Sequence, residues 1–493
     1  MRVSTNIQFD AGLRAMTNQQ SEINRLAQQI SGERKVLNPG DDPIAAAREV
    51  TLTATKAAYE QMLKNQSDVD GSLKLVEGNL DTAHDVLDQF RTKLIALNSG
   101  SLNDADRASH IKDMESLRAS LMAVANQTDS NGNYLFSGYA AKTQPFVSNA
   151  AGQVAYNGDT GVREVQVGPS RTVASNITGD YLFMSVPTGN GRVEGNATTT
   201  NTGSGYMKNV SVSDNTAWKA AQAAGPYSVD FVSTTTGTTT NGVAVNQTVT
   251  DPAAWGKAAA NKPFSIEFGA ANSYTLTDGK GVATTGTYTP GSPLTVNGMQ
   301  MNFGATPAAG DKFAIGDVAG KYEVRNGAGA VVTTGAIDPK VGGSVTVAGI
   351  TLDVSGVPNA GDSFKFKTSG TADIFASMQT AIDAAKIPAA DAANGATQRN
   401  NVLREMMANI DGGLDRMLEG ITTVGSRQNE LEALTSQDTL SRDNVSAQIT
   451  KEVGMGTDDL VAAISELAQR NLSLQAAQKV YAQVSNMSLF NII

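Results

Sequence analysis

Apolar residues recur along this chain in two rhythms. Val69, Leu73, Val76, Leu80, Ala83, Leu87, Phe90, Leu94 and Leu97 are separated by alternating steps of four and three. That is the spacing of a coiled-coil seam. It predicts one helix from Pro43 to Leu97, roughly 80 Å long at about 1.5 Å per residue. A further helix begins near Asp104 and carries Ile111, Met114, Leu117, Leu121 and Val124. The same spacing returns at both ends of the chain. It links Phe9, Leu13, Met16, Gln20, Ile23, Leu26 and Ile30, then Ile410, Leu414, Met417, Ile421, Val424, Gln428 and Leu431. The last seam holds Leu460, Ile464, Leu467, Asn471, Leu474, Gln478 and Tyr481. Asn471 and Gln478 cost stability there but can fix register and partner. An apolar stripe most often faces its own core. The two terminal seams differ, because a helix at a chain end frays unless something docks it.

From about residue 146 to 369 the rhythm drops to two, and Gly, Thr and Val replace Ala, Leu and Gln. "VREVQV" (Val162 to Val167) alternates as a half-buried strand does. An Asn-Gly turn at Asn157 and Gly158 precedes it. The stretch Tyr274–Ile315 then repeats as Tyr322–Lys367, sharing a Thr-Thr-Gly turn, a V-x-G turn and A-G-D-x-F. Upstream, "PYSVDFVS" (Pro226 to Ser233) echoes "PFSIEFGA" (Pro263 to Ala270). A repeat of about 50 residues is one sign of a propeller, but two copies are too few to close one. Near residue 372 the helical composition returns.

One fold is thus inserted into another. The expected class is α+β: a long α-helical, coiled-coil-like bundle formed by both chain ends, with an inserted antiparallel β region of one or two small modules. The expected segments are terminal helices at 1–40 and 455–493, and the two halves of a long-helix bundle at 41–145 and 370–454. A β segment at 146–186 attaches to the bundle, and 187–369 is a surface-exposed insertion with the internal repeat.

Composition narrows the chemistry. The net charge of −10 argues against binding nucleic acid or anionic lipid. Cysteine is absent, which excludes disulfides, thiolate metal sites and a Cys nucleophile. No run of about 18 apolar residues offers membrane insertion. The start lacks a basic region followed by an apolar one, so no cleaved secretory signal is expected. The protein is then either cytoplasmic or exported by a route that needs no such signal.

The only histidines, His84 and His110, lie 26 residues apart in predicted helices, without an HExxH partner. No G-x-S-x-G elbow and no phosphate-binding Gly loop occur. "DSNGNY" and "NGDTG" resemble calcium loops faintly but lack the EF-hand frame with its closing Glu. The paired carboxylates of "NPGDDP" (Asn38 to Pro43) have a simpler reading. Asp42 is an N-cap, Pro43 the first helical residue, and Asp41 a favourable charge at the positive end of the helix dipole. "GTDDL" (Gly456 to Leu460) follows the same pattern, with Thr457 or Asp458 as N-cap. No catalytic, metal or cofactor residues are expected.

The start "MRVSTNIQFDAGLRAMTNQQSEINRLAQQISGERKVLNPGDDPIAAA" resembles the N-terminal signature of the flagellin superfamily. "DSNGNYLFSGYAAKTQPF", "YNGDTGVREVQVGPSRTVASNITGDYLF" and the end "ISELAQRNLSLQAAQKVYAQVSNMSLFNII" are similar to segments of its hook–filament junction branch. The resemblance covers about half the chain and leaves out the repeat-bearing middle. It implies a non-enzymatic structural adaptor joining the hook, through the first hook-associated junction protein, to the flagellin filament. The alternatives are a flagellin-type filament subunit, or a surface binding module displayed on a coiled coil. It implies self-association in a ring or short tube, with the chain ends as an inner layer and the β insertion outside. Export without a cleaved signal and a cytoplasmic export chaperone on the C-terminal helix are implied as well. The residues to which it gives an assembly or chaperone role are Phe9, Leu13, Met16, Ile23, Leu460, Ile464, Leu467, Asn471, Leu474, Tyr481, Val484, Leu489 and Phe490.

Overall fold

The computed structural model of the chain describes residues 5–98, 102–150, 152–232, 237–238, 242–261, 264–315, 321–338, 342–388 and 395–490. The helical part begins with α1 (Thr5–Ser31), α2 (Pro43–Leu97) and α3 (Asp104–Ala125). Two short helices, α4 (Asn215–Ala221) and α5 (Pro252–Lys257), belong to the β region. The helical part resumes with α6 (Ile374–Ala385), α7 (Gly395–Val453) and α8 (Thr457–Phe490). The chain forms two compact units: Met1–Gly71 with Glu164–Val173 and Ser426–Ile493, and Ser72–Arg163 with Ala174–Gly425.

In the second unit the α2 seam is sealed. Leu73, Leu80, Leu87, Phe90 and Leu94 are fully buried, as are Ile410, Met417 and Val424 of α7. Glycine lets the helices close. Gly413 lies against Leu87 and Ile374, where a Cβ would come 2.7 Å from the Ile374 Cδ1, and Gly420 lies against Leu80 and Leu182. Local chemistry starts the neighbouring helices. Asn103 caps α3 through the amide of Asp106 at 2.9 Å, and Asp373 caps α6 through that of Phe375 at 2.8 Å. An aromatic cluster of Phe136, Phe146, Phe183 and Phe375 closes this core, with centroid separations of 5.3–5.8 Å. In the first unit the buried Gln66 side chain ties three segments together. Its amide donates to Val167 O and Asp438 Oδ2, both at 2.7 Å, and its oxygen accepts from the Thr435 hydroxyl.

Strands begin as two hairpins, β1 (Phe146–Ser148) with β2 (Val154–Tyr156), and β3 (Glu164–Gly168) with β4 (Arg171–Ala174). The Asn157-Gly158 turn therefore joins two hairpins and does not close one. The chain then leaves through β5 (Val186–Pro187).

The insertion is one module nested inside another. The outer module takes β6 (Val193–Ala197), β7 (Tyr206–Val212), α4 and β8 (Tyr227–Phe231). The inner module follows with β9 (Gly237–Thr238), β10 (Val245–Val249), α5, β11 (Phe264–Phe268), β12 (Ser273–Thr277), β13 (Ala283–Thr287), β14 (Leu294–Val296), β15 (Met299–Phe303) and β16 (Lys312–Ile315). The outer module resumes with β17 (Lys321–Arg325), β18 (Val331–Ala336), β19 (Gly343–Val347), β20 (Ile350–Ser355) and β21 (Ser363–Thr368). Finally β22 (Thr371–Ala372) pairs with β5, so exit and return form a two-stranded tether.

The two modules have one topology. The outer sheets run β18-β17-β8-β21-β6 and β19-β20-β7; the inner sheets run β13-β12-β11-β16-β9 and β14-β15-β10. Each element has its counterpart in the same place. Trp218 and Trp255 are buried on α4 and α5. Asp214 and Asp251 start those helices by accepting from the amides of Ala217 and Ala254. Gly349 and Gly298 both have positive φ, and a Cβ on either would lie 2.3 Å from the Asp214 or Asp251 carbonyl. Gly335 and Gly286 make room for the rings of Tyr322 and Tyr274. The edge strand of the outer module has one extra residue, and the register shifts between Val324 and Arg325 to absorb it.

The inner module enters at a hairpin. Phe231 pairs with Tyr322, and the Val232 amide donates to Lys321 O at 3.0 Å. In the inner module the equivalent Phe268–Tyr274 pair is closed by the short turn Gly269–Asn272. Replacing residues 232–320 by a copy of that turn is therefore predicted to leave the outer module and the helices folded. Circular dichroism should retain the near-ultraviolet signal of Trp218, and unfolding should stay cooperative. Loss of that signal would contradict the nested arrangement.

Candidate assembly surface

The chain ends meet at a stitched crossing in the first unit. After α1 the backbone turns at Glu33, with φ 51°, and pairs with the α7–α8 connection. The Lys35 amide donates to Val453 O at 2.9 Å, and the Met455 amide donates to Glu33 O at 2.8 Å. Val36, Ala45 and Val453 pack beneath, and the buried Gln29 amide donates to Lys35 O at 2.6 Å. Both helix reversals are thereby fixed to each other.

"NPGDDP" lies in this crossing, and backbone amides occupy both carboxylates. Asp41 Oδ2 accepts from the amides of Leu37 and Asn38 at 3.1 and 3.0 Å. Asp42 Oδ1 accepts from Ile44 and Ala45, both at 3.0 Å, and caps α2. The amides of Asn38 and Leu37 hold the Asp41 carboxyl below its usual range. The start of α8 is built differently from the expected Thr457 or Asp458 cap. Thr457 is already helical, and the Asp459 carboxylate accepts from the Gly456 amide at 3.2 Å. An acid at the third helical position reaches back to the cap, as in half of a capping box.

The other acidic loops are similarly self-contained. Asp129 Oδ1 accepts from the amides of Asn131 and Asn133, both at 2.8 Å. Asp159 accepts from those of Tyr139, Ala140 and Gly161 at 2.7–2.9 Å. Among the described residues no group of three or more His, Cys, Asp or Glu comes close enough to hold a metal.

From the crossing α1 and α8 run antiparallel. Gly12 lies against the Tyr481 ring, and Gln19 Nε2 donates to Arg470 O at 3.4 Å. Of the candidate residues, Ile23 and Leu474 are buried, and Met16, Leu460, Leu467 and Tyr481 are half-buried. Leu13, Ile464 and Asn471 are exposed. The side chains of Phe9, Val484, Leu489 and Phe490 lie outside the described residues. Ala463, which the spacing did not single out, is 6% exposed where Ile464 is 49% exposed. The buried and half-buried residues of α8 therefore follow 460, 463, 467, 470, 474 and 481. A signal for this was present, since a small residue lets helices approach closely, but alanine reads as neutral in a seam. Leu13, Val461, Ile464, Leu472 and Val480 are left as large exposed apolar side chains on the terminal helices.

Asp42→Ala is predicted to destabilise the start of α2 by about 1 kcal/mol, the usual cost of a lost cap. Hydrogen exchange at the amides of Ile44 and Ala45 should accelerate, while Asp42→Asn should retain most of the protection. Unchanged exchange in the alanine variant would contradict the capping role.

Comparison with known proteins agrees with this geometry. Residues 3–141 match the bacterial flagellin N-terminal helical region. Over 186 residues the chain is 36% identical to flagellar hook-associated protein 3 of Escherichia coli (strain K12), covering 38% of this chain and 58% of that protein. The protein of the same name from Salmonella typhimurium is 33% identical over 186 residues. The match thus spans 58% of the length of these curated relatives. Flagellar hook associated protein-3 of Legionella pneumophila has a similar fold, with TM-score 0.57 and 24% identity over 81% of this chain and 98% of its own. FlgL of Xanthomonas campestris follows with TM-score 0.55 and 23% identity over 81% and 99%. The chain is thus similar to flagellar hook-associated protein 3 in sequence over these segments, and to its solved structures in fold.

Proposed function

We propose that the chain is a non-enzymatic structural adaptor of the bacterial flagellum, joining the hook, through a first junction protein, to the flagellin filament. The observation that carries this reading is the pairing of the two chain ends with apolar side chains left exposed on α1 and α8. The names of its relatives, flagellar hook-associated protein 3 and flagellar junction protein, support it.

In this reading residues 1–40 and 455–493 form the inner layer of a ring or short tube, and the β insertion of 187–369 faces outward. Each large apolar side chain buried between subunits contributes about 1.5–3 kcal/mol. A few such residues per contact, repeated around a ring, hold it closed. The same face is what an export chaperone would cover in the cytoplasm before the chain leaves the cell without signal cleavage. Among the described residues no helix is long and apolar enough to cross a membrane.

Ile464→Glu combined with Leu472→Glu tests the surface. Both residues are exposed, so the isolated chain should change stability by no more than about 0.5 kcal/mol per site. Cells exporting the double variant should lose filaments and release flagellin into the medium, as seen by electron microscopy and immunoblotting. Deletion of 187–369 should leave filament attachment intact. Filaments of normal number and length on the double variant would refute the proposed surface.

A further inference from the structure

The outer β module rests on one stripe of α7, and that seat is polar. The Thr397 hydroxyl donates to Gly203 O at 3.0 Å, and the Arg404 guanidinium lies 3.8 Å from the centre of the Tyr206 ring. Along the tether, the Gly189 amide donates to Asn409 Oδ1 at 3.3 Å, and Arg416 Nη2 donates to Ser185 O at 3.2 Å. At Gly412 the tether comes so close that a Cβ would lie 2.5 Å from Pro187 O. Beyond this stripe the module connects to the helices through the β5–β22 tether.

The seat is incompletely filled. A cavity of about 500 Å³ lies between α7 and strands β6 and β7, with a second of about 110 Å³ beside it. Glu405 lines both, and Glu194 of β6 lines the smaller one. The two carboxyls are not equally served. Glu194 accepts from the Thr188 hydroxyl and pairs with Lys367 of β21 at 2.9 Å. Glu405 has no hydrogen bond or ion pair among the described residues. The other charged groups on the cavity wall are Lys208 of β7 and, on α7 itself, Arg404, Asp411, Asp415, Arg416 and Glu419. Several of these are engaged. Arg404 stacks on Tyr206, Asp411 pairs with Arg91 at 2.5 Å, and Arg416 pairs with Glu419 at 2.9 Å.

We propose that this seat is a proton-gated joint: the outer module docks firmly on α7 while Glu405 is a neutral carboxylic acid, and the joint loosens when Glu405 ionises. The reason is electrostatic. Docking takes the half-buried carboxyl partly out of water and sets it near the Glu194 charge, which Lys367 only partly offsets. Burial first, and Glu194 second, push the Glu405 carboxyl up to about 7. A group whose pKa is raised by docking favours the docked state at low pH. That contribution is complete below the ordinary carboxylate range and is lost as pH rises through about 7. The module would then swing on its two-stranded tether, changing how far it reaches from the helices without unfolding.

The chain has no cysteine, so Ala408→Cys supplies a single thiol on the wall of both cavities. A maleimide with a bulky polymer tail reacts with it faster when the joint opens than in the docked state, where position 408 is partly exposed. Its rate is divided by the rate in denaturant at the same pH, which removes the effect of thiol ionisation. Between about pH 6 and about pH 8.5 the corrected rate is expected to rise about tenfold, from linkage between 4.5 undocked and about 7 docked. With Glu405→Gln added the corrected rate should be flat. With Glu194→Gln added the rise should be smaller and level off at lower pH. A flat profile in the parent, a rise that persists with Glu405→Gln, or an unchanged rise with Glu194→Gln would each overturn the proposal.

Discussion

The structure depends on how closely α2 and α7 approach. The Leu73–Leu97 seam offers a continuous apolar ridge; Gly420 removes a side chain that would press on Leu80 of that ridge, and Gly413 makes room for Ile374 of α6. Each buried leucine contributes about 1.5–3 kcal/mol, and the ridge has several. Contacts of that kind are lost in proportion to the gap, so a larger residue at Gly420 would weaken the ridge around Leu80.

The chain ends are built on different terms. Their crossing is held by backbone hydrogen bonds, by carboxylates on backbone amides, and by a small cluster of Val36, Ala45 and Val453. From there α1 and α8 run on with only part of their apolar surface covered. Apolar side chains left exposed on the chain ends are what the proposed adaptor role requires, since neighbouring subunits would cover them. The β insertion adds a third regime. Its two modules each have a private core, around Trp218 and Trp255, and the outer one meets α7 through polar groups and cavities.

Much of this was legible in the sequence where a signal is local and repeated. The α2 span follows from apolar residues at every seam position, and the α2 start from Asp42 and Pro43. The α8 seam was legible only in part. Ile464 outranks Ala463 by hydropathy, yet Ala463 is the one buried, because helices in close contact favour a small residue. Strand β3 begins at Glu164, not Val162. The Asn176 side chain accepts the Arg163 amide and ends the pairing there. The internal repeat could be read from Tyr274 and Tyr322 onward. Its nesting could not, since that depends on Phe231 pairing with Tyr322 across the whole inner module. Glu405 gave no sign at all. Its environment is assembled from Glu194 and Lys367, both far away in the chain.

The central claim is that this chain occupies a junction and does not build a filament. Immunogold labelling of intact flagella against the exposed outer module tests it most directly. The account predicts gold confined to one narrow band where hook meets filament. Gold distributed along the length of the filament would contradict it.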